Sequence, residues 1–371
     1  LLVKHGVITR RQLDRLAPTL DEQKATQQIP GYKMLKKLGS GAMATVYLAK
    51  QMSLDRKVAI KVLPKKYSKN TEFVERFYAE GRAAAKLNHT NIVQAYDVGK
   101  AGEFHYFVME YVEGETVFDA VERDGPYPEQ RALQIIIEIA RALEHAHKAG
   151  FIHRDVKPKN IMITAKDGTA KLADMGLARA VSDVQAAEAE QGKAYGTPYY
   201  ISPEQIKGEV DVDFRADIYG LAATFYHMVT GQVPFEGPNP SAVMHRHLKS
   251  KLVPPDHLNP TLSQGIGEII EVCMAKDKRK RYGSTSDLIA DLENVSRGEP
   301  PMQARSQFDL SRLSILESSA GSPPKLVDAS GKTLAGGYPM TDAQMLRQPM
   351  LWAAIVGWTA AVILLVLHFV R

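Results

Sequence analysis

Several ionisable side chains and an amide lie close together in the segment GFIHRDVKPKNIMI, residues 150–163. Asp155 is a carboxylate that can accept a proton from a hydroxyl group. Lys157 adds a positive charge nearby, and the side-chain oxygen of Asn160 is a suitable ligand for a hard cation. Apolar residues on both sides are typical of two buried strands. A proton acceptor, a cation and a metal ligand in one short segment are the groups that phosphoryl transfer requires.

A second acid follows in the segment AKLADMGLA. Asp174 comes after an apolar, strand-like run and before Gly176, so it lies at a predicted turn where the backbone can come close to a metal ion. Together with Asn160, it could bind Mg²⁺ and neutralise the charge of nucleotide phosphates.

Residues nearer the N-terminus could hold those phosphates. The segment LGSGAMATVYLAK places Gly39 and Gly41 between two predicted strands, where backbone N–H groups can close over phosphate oxygens. Taken alone, a hairpin is the commoner explanation of such a glycine pair. The segment VAIK then places Lys61 inside an apolar strand, where an unpaired lysine would be costly. Glu80, on the next helical segment, is a suitable partner.

The elements that position these groups change type along the chain. Branched residues and a glycine-rich turn predict strands over residues 32–62, and the segment TEFVERFYAEGRAAAKLN then has helical periodicity. The segment FHYFVMEYV indicates a further strand, and helical patterns dominate from Pro128 onward. A small β-rich part therefore precedes a larger helical part, and the two join near residues 110–114.

The two ends of the chain differ in composition from the centre. Residues 1–29 have leucines at helical spacing, which predicts short helices that act either as a docking element or as a mere leader. Residues 298–348 are rich in Ser, Gly and Pro, as is typical of a flexible linker. Residues 350–370 carry no formal charge and would form a helix about 31 Å long. This length predicts a transmembrane helix, although a buried core helix is an alternative.

The composition limits the class of protein. The chain has 371 residues, of which 44% are hydrophobic, and a formal net charge of +5. It can therefore bury a large core. Acids and bases are interspersed without a block of Lys and Arg, which argues against a nucleic-acid partner. The single cysteine, Cys273, excludes an internal disulfide framework and a cysteine-based metal site, and it fits a reducing compartment.

The motifs and their order resemble those of eukaryotic-type protein kinases, and most of all the bacterial membrane-anchored serine/threonine kinases. The resemblance implies an α+β, two-lobed protein kinase fold, with the kinase domain at residues 30–297. Its β-rich N-lobe would span residues 32–112 and its helical C-lobe residues 113–297. The motifs, in chain order, are GSGAMATV, VAIK, Glu80, HRDVKPKN, DMG, GTPYYISPE, DIYG and DKRKRY.

This resemblance implies roles for the residues identified above. Asp155 would orient and deprotonate the substrate hydroxyl, while Lys157 would stabilise the charge of the γ-phosphoryl group. Asn160 and Asp174 would hold Mg²⁺, with Mn²⁺ as an alternative. Asp217 would bind the backbone of the catalytic loop, which His153 and Arg154 would support.

The resemblance also implies an ATP site. Lys61 would position the α- and β-phosphates, with Glu80 behind it. Backbone groups of Glu110 and Val112 would read the adenine, and Met109 would guard the rear of the pocket. The implied nucleotide-binding residues are Leu38, Gly39, Ser40, Gly41, Ala42, Met43, Ala44, Val46, Ala59, Lys61, Met109, Glu110, Val112 and Met162.

The implied substrates are serine and threonine hydroxyls of proteins. Lys157 in DVKPKN, followed by GTPYYISPE, is the serine/threonine form, and Thr197 would lie beside the acceptor hydroxyl. Ser182 in the activation segment and serines such as Ser306 in the linker are candidates for autophosphorylation, and self-association would accompany it. The membrane helix would leave the kinase domain in the cytoplasm, where ATP is supplied.

Two positions depart from the family pattern. Ala44 replaces the third glycine of the nucleotide loop, and Met175 replaces the aromatic residue of the metal-binding triplet. Neither change removes a catalytic group. A pseudokinase that binds nucleotide as a scaffold is an alternative, as is a kinase for a small molecule or lipid.

Overall fold

The N-terminal part of the fold is an antiparallel sheet of five strands in the order β1-β2-β3-β5-β4. The computed structural model of the protein describes residues 9, 29–40, 44–64, 67–68, 70–174 and 198–306. The strands are β1 (Tyr32–Ser40), β2 (Thr45–Gln51), β3 (Arg56–Val62), β4 (Ala95–Ala101) and β5 (Phe104–Glu110).

The side chains of strand β3 point alternately to the two faces of this sheet. Because side chains alternate along a strand, Val58, Ile60 and Val62 point to one face. They pack there in an apolar cluster with residues of β2 and β5. Ala59 and Lys61 therefore point to the opposite face. Lys61, which the sequence places in an apolar strand, thus lies on the face opposite this cluster.

Helix α1 (Thr71–Ala85) covers the face of the sheet that carries Lys61. Phe107 of β5 pairs with Lys61 across the sheet. A Cβ atom added to Gly81 would lie 3.3 Å from side-chain atoms of Phe107 and Val98, so the glycine permits a close approach. Glu80 precedes this contact point, and its side chain lies outside the described part of the structure.

The larger part of the described chain is helical and forms around helix α5. Residues 216–229 of α5 are all buried, as expected for a helix that is apolar all round at the centre of a lobe. The helices are α2 (Val117–Asp124), α3 (Glu129–Lys148), α4 (Pro203–Lys207), α5 (Arg215–Thr230), α6 (Pro240–Lys249), α7 (Pro255–Leu258), α8 (Gln264–Cys273) and α9 (Thr285–Ser296).

A second, small sheet lies where the two parts join. It consists of β6 (Gly114–Thr116), β7 (Ile161–Thr164) and β8 (Ala170–Leu172). Strand β7 confirms one of the two strands expected around the segment of residues 150–163. The other expectation is wrong, since the preceding residues leave helix α3 through Gly150, whose φ is +80°, and continue as a loop. A two-lobed arrangement with a sheet-rich N-lobe and a helical C-lobe is confirmed.

A buried ion pair joins α4 to the segment before α9. Nη1 and Nη2 of Arg281 donate to the carboxylate oxygens of Glu204 at 2.6 and 2.8 Å, and Nη1 also donates to the carbonyl oxygen of Arg215. Neither side chain is more than 3% exposed. The pair therefore connects α4 to the start of α5 inside the C-lobe.

The packed part of the chain continues past Arg297. The buried carboxylate of Asp291 accepts hydrogen bonds from the N–H groups of Gln303 and Ala304 and from the hydroxyl of Tyr282. Pro301 lies against Gly265, where a Cβ atom would be 3.1 Å from its ring. The first residues of the expected linker thus belong to the base of the C-lobe.

Other predicted segments lie outside the described residues. These are most of residues 1–29, the linker beyond residue 306 and the predicted membrane helix at residues 350–370. Within the described part of the chain, no helix is both long and apolar enough to cross a membrane.

Replacing Arg281 with methionine should strongly destabilise the protein. Methionine fills the space with an apolar side chain but leaves the carboxylate of Glu204 buried without its partner. We expect the free energy of unfolding, measured in urea, to fall by about 3–5 kcal/mol. Arg279→Met is the matched control, because Arg279 pairs with Asp277 while 81% exposed, and its loss should be below about 1 kcal/mol.

The same pair predicts a dependence on pH. Burial alone would raise the pKa of Glu204, but the hydrogen bonds and charge of Arg281 outweigh it and hold the pKa below its ordinary value of 4.5. The stabilisation is therefore complete above pH 4.5 and is lost as the pH falls through the lower pKa of the folded protein. The difference between wild type and Arg281→Met should narrow on acidification. Equal stability of the two proteins at neutral pH would contradict a stabilising role of the pair.

Candidate active site

The loop between α3 and β7 brings together the three groups predicted to act on a substrate. Nζ of Lys157 lies 2.7 Å from Oδ2 of Asp155, and Nδ2 of Asn160 donates to the carbonyl oxygen of Asp155 at 2.8 Å. The Asp155 side chain is 50% exposed, whereas Asn160 is buried. The carboxylate of Asp155 is thus accessible, and the Asn160 amide is fixed by hydrogen bonds that its Nδ2 atom donates to Asp155.

A buried carboxylate holds the backbone of this loop. Asp217, on α5, accepts hydrogen bonds from the N–H groups of His153 at 2.8 Å and Arg154 at 2.6 Å. Arg154 has a φ of +64°, which costs a non-glycine residue about 1–3 kcal/mol. The two charged hydrogen bonds offset this strain, because each is stronger than a bond between neutral groups.

Asp174 lies beside the same loop. The N–H of Ala173 donates to the carbonyl oxygen of Asn160 at 2.8 Å. The N–H of Asp155 donates to Nδ1 of His153, so Nε2 carries the ring proton and donates to the carbonyl oxygen of Ala173 at 3.1 Å. These bonds join the catalytic loop to the segment of Asp174, so the predicted cation ligands Asn160 and Asp174 are neighbours.

Lys61 pairs with Asp174 across the cleft between the lobes. Nζ of Lys61 is 3.1 Å from Oδ1 of Asp174, and the lysine side chain is only 8% exposed. The positive charge of Lys61 is the main reason that the pKa of Asp174 lies below its ordinary value. Lys61 is therefore paired, as its place in an apolar strand requires. The side chain of Glu80, the other predicted partner of Lys61, lies outside the described part of the structure.

Four of the predicted nucleotide-binding residues of the N-lobe share one face of the sheet. Val46 pairs with Lys61, and Ala59 pairs with Met109. Since Ala59 and Lys61 are two residues apart on β3, all four side chains point to the same face. This face is the one that α1 covers, so the structure brings these residues together with Lys61.

The remaining predicted residues are placed as follows. Leu38, Gly39 and Ser40 end strand β1, Ala44 and Val112 are buried, and Met162 lies on β7 opposite Thr116. Glu110 ends β5, and its N–H donates to the carbonyl oxygen of Gln94. Gly41, Ala42, Met43, Met175, Ser182 and Thr197 lie outside the described residues.

The donor set suits a hard divalent cation. Among the described residues, no group of three or more His, Cys, Asp and Glu side chains could hold a metal ion. What the site offers is one carboxylate, from Asp174, and one amide, from Asn160. Such a sparse set of hard oxygen ligands suits Mg²⁺, which keeps several waters and binds substrate phosphates.

The contacts of two residues at the site were not predicted from the sequence. Nε2 of His147 lies 2.8 Å from Oδ2 of Asp217, and Nδ1 lies 2.9 Å from the hydroxyl of Thr285. Lys171, on β8, contacts the side chain of Glu110. Both residues are polar residues next to apolar ones, and no local pattern distinguishes them.

Comparison with known proteins agrees with this geometry. The family model described as the protein kinase domain matches residues 32–291. The chain is 39% identical over 294 residues to the serine/threonine-protein kinase PknB of Mycobacterium tuberculosis, which covers 78% of this chain and 47% of that protein. It is 40% identical to a probable serine/threonine-protein kinase of Clostridium perfringens, which covers 72% of this chain and 38% of that protein.

The solved kinase domain of Mycobacterium tuberculosis PknI is similar in structure. Its TM-score is 0.57 at 29% sequence identity, and the match covers 71% of this chain and 96% of that one. The chain spans about half the length, or less, of the curated relatives it matches. Proteins of this class generally use ATP together with Mg²⁺ or Mn²⁺. On the sequence match, the shared fold and the arrangement of its site, the chain belongs to the protein kinase family.

Proposed function

We propose that this protein is a protein serine/threonine kinase that transfers the γ-phosphate of ATP to hydroxyl groups of protein substrates. One observation carries the proposal. The exposed carboxylate of Asp155 lies beside Lys157 and Asn160, on a loop hydrogen-bonded to the segment of Asp174. A pseudokinase would not need all of these groups in place.

In this proposal Asp155 orients the substrate hydroxyl and accepts its proton as the hydroxyl attacks. Its half-exposed position leaves room for a substrate, and its contact with Lys157 keeps a positive charge at the point of transfer. Lys157 then stabilises the negative charge of the transferred phosphoryl group. Because phosphoryl transfer depends on positioning and electrostatics, these two roles supply much of the catalysis.

The phosphates would be held from both lobes. Asp174 and Asn160 would bind Mg²⁺, whose charge neutralises the phosphate oxygens. Lys61 lies within 3.1 Å of Asp174 and would place its ammonium group against the α- and β-phosphates. The adenine would pack on the sheet face that carries Val46 and Ala59, next to the connection between the lobes.

The class of substrate rests on Lys157 and on the relatives. Lys157 makes the loop resemble the form found in serine/threonine kinases. The similar proteins are named serine/threonine-protein kinases. We propose that Thr197 lies beside the acceptor and that Ser182 is an autophosphorylation site. Self-association would allow one molecule to act on another.

We also propose that the chain is anchored in a membrane by residues 350–370. Support comes from the apolar, uncharged sequence of this segment and from its length, which matches a bilayer core of about 30 Å. The kinase domain would face the cytoplasm, because ATP is supplied there.

Replacing Asp155 with asparagine should abolish most transfer without weakening nucleotide binding. The amide cannot accept the proton, so we expect kcat to fall by about 10²- to 10⁴-fold. Transfer of labelled γ-phosphate from Mg·ATP to the protein itself and to a generic basic protein measures this, with phosphoamino-acid analysis to identify the acceptor.

Asp167→Asn is the matched control for this experiment. Asp167 is an exposed acid in the turn between β7 and β8, where it accepts hydrogen bonds from Thr164 and Thr169, and its substitution should leave kcat nearly unchanged. Wild-type protein that binds ATP but transfers no phosphate would favour the pseudokinase instead. Phosphotyrosine as the only product would overturn the proposed substrate class.

Replacing Asp217 with asparagine should lower kcat through the catalytic loop. One of the two oxygens that receive the N–H groups of His153 and Arg154 becomes a donor. Hydrogen bonds to a charged group contribute about 1.5–3 kcal/mol each, so we expect a loss of about 10- to 100-fold in kcat. Affinity for nucleotide should change little.

Asp291→Asn provides a control with a similar loss of stability. Asp291 is also a buried carboxylate with three hydrogen-bond donors, but it binds the chain near residue 304. Activity per folded molecule should fall in Asp217→Asn alone. Equal kcat values in the two variants would show that Asp217 contributes only to stability.

Removing residues 307–371 should move the protein from the membrane fraction to the soluble fraction. The proposed anchor lies within this segment, whereas the described kinase fold ends before it. Fractionation of cells that express the full chain or the truncated chain measures the change. A full chain that stays soluble, or a truncated chain that still sediments with membranes, would contradict the proposed anchor.

A further inference from the structure

Lys171 lies on strand β8, which leads to Asp174, and it contacts the start of the connection between the two lobes. Its Nζ is 3.0 Å from Oε1 and 3.1 Å from Oε2 of Glu110, and it donates to the carbonyl oxygen of Thr90 at 2.8 Å. The lysine side chain is 15% exposed and that of Glu110 is 24% exposed. The ammonium group thus joins three segments: β8, the end of β5 and the loop between α1 and β4.

Glu110 is held on its other side by Gln94. The N–H of Gln94 donates to Oε2 of Glu110 at 3.2 Å, and the N–H of Glu110 donates to the carbonyl oxygen of Gln94 at 2.8 Å. Both the backbone and the side chain of Glu110 are therefore fixed. Glu110 is the last residue of β5, and the chain passes from it through residues 111–113 to the small sheet of the C-lobe.

The loop of residues 90–94 is attached to the C-lobe by hydrogen bonds to strand β8. The N–H of Leu172 donates to the carbonyl oxygen of Asn91 at 2.8 Å, and the N–H of Val93 donates to that of Leu172 at 2.9 Å. Nδ2 of Asn91 donates to the carbonyl oxygen of Ala170 at 2.8 Å. Lys171 and this loop therefore form one frame, to which Glu110 is attached.

The charges make this attachment sensitive to Lys171. Without its ammonium group, the partly buried carboxylate of Glu110 keeps only the N–H of Gln94 among the donors in the described part of the chain, and the carbonyl oxygen of Thr90 loses the donor of its 2.8 Å bond. A partly buried carboxylate that loses its counter-charge moves toward water, where its charge is solvated. This movement shifts residue 110 and the backbone that follows it.

We propose that Lys171 is a positioning residue that fixes the lobe connection for nucleotide binding. It touches neither the proposed metal ligands nor the acceptor site, and it acts through Glu110. The proposal rests on the proposed function, in which backbone groups of Glu110 and Val112 read the adenine. It predicts an effect on nucleotide affinity rather than on the chemical step.

The test compares full-length Lys171→Met, Lys171→Arg and wild type. Fluorescence titration with the N-methylanthraniloyl derivative of ADP gives the Kd, and steady-state assays give KM for ATP and kcat. We expect Lys171→Met to weaken the affinity for the ADP derivative at least fivefold and to raise KM for ATP in parallel. We expect kcat to change less than twofold and Lys171→Arg to restore the affinity to within twofold of wild type.

Lys57→Met is the matched control. Lys57 also pairs with a glutamate of the lobe connection, Glu113, but at 3.6 Å with both side chains more than half exposed. Its affinity for the ADP derivative should equal that of wild type. Glu110→Gln, which keeps the shape of the side chain but removes its charge, should weaken nucleotide binding in the same direction and serves if Lys171→Met does not fold.

The outcomes separate this proposal from the proposed function. Unchanged affinity for the ADP derivative in both Lys171→Met and Glu110→Gln would overturn it, as would a fall in kcat at constant KM. Equal weakening by Lys57→Met would overturn it too. Wild-type protein that binds the ADP derivative but transfers no phosphate would refute the kinase activity, while the binding comparison would still decide the role of Lys171.

Discussion

The structure of the active site depends on one buried charge, the carboxylate of Asp217. A charge inside a protein is tolerated only when donors surround it, and three converge here, from the backbone of His153, the backbone of Arg154 and the ring of His147. Asp217 lies on α5, which is buried along nearly its whole length. The loop that carries Asp155 is thus fixed to the buried central helix of the C-lobe, and its strained residue, Arg154, keeps its conformation for that reason.

The two lobes contribute to the site in different ways. The N-lobe supplies Lys61 from the interior of a sheet, so the position of its ammonium group follows from strand alternation and from the apolar cluster on the opposite face. The C-lobe supplies Asp155, Asn160 and Asp174 from loops, which need hydrogen bonds to hold them. The ion pair between Lys61 and Asp174 is where these two modes of construction meet. Any motion between the lobes would therefore change the distance between these two charges.

Local signals in the sequence account for much of this site, and distant contacts account for the remainder. A lysine inside an apolar run predicts a paired Lys61, and close spacing predicts the neighbourhood of Asp155, Lys157 and Asn160. The bond between His147 and Asp217 spans 70 positions, and no periodicity marks it. The composition of the segment after Gly298 indicates a linker, yet Pro301 and Ala304 pack in the C-lobe. They do so because Asp291 needs donors and Gly265 leaves space, neither of which composition reveals.

The charged groups at this site differ in how far they are buried, and the difference follows their proposed roles. Asp217 is fully buried, and it holds a loop without meeting a substrate. Lys61 is largely covered, which preserves its charge from screening by water while leaving it directed at the cleft. Asp155 is 50% exposed, which fits its proposed role, because a group that takes a proton from an incoming hydroxyl must be accessible to it. A substitution at a buried charge therefore changes geometry first and chemistry second, whereas at Asp155 the order is reversed. The same distinction explains why Lys171, covered and paired with Glu110, is expected to act on binding rather than on the transfer step.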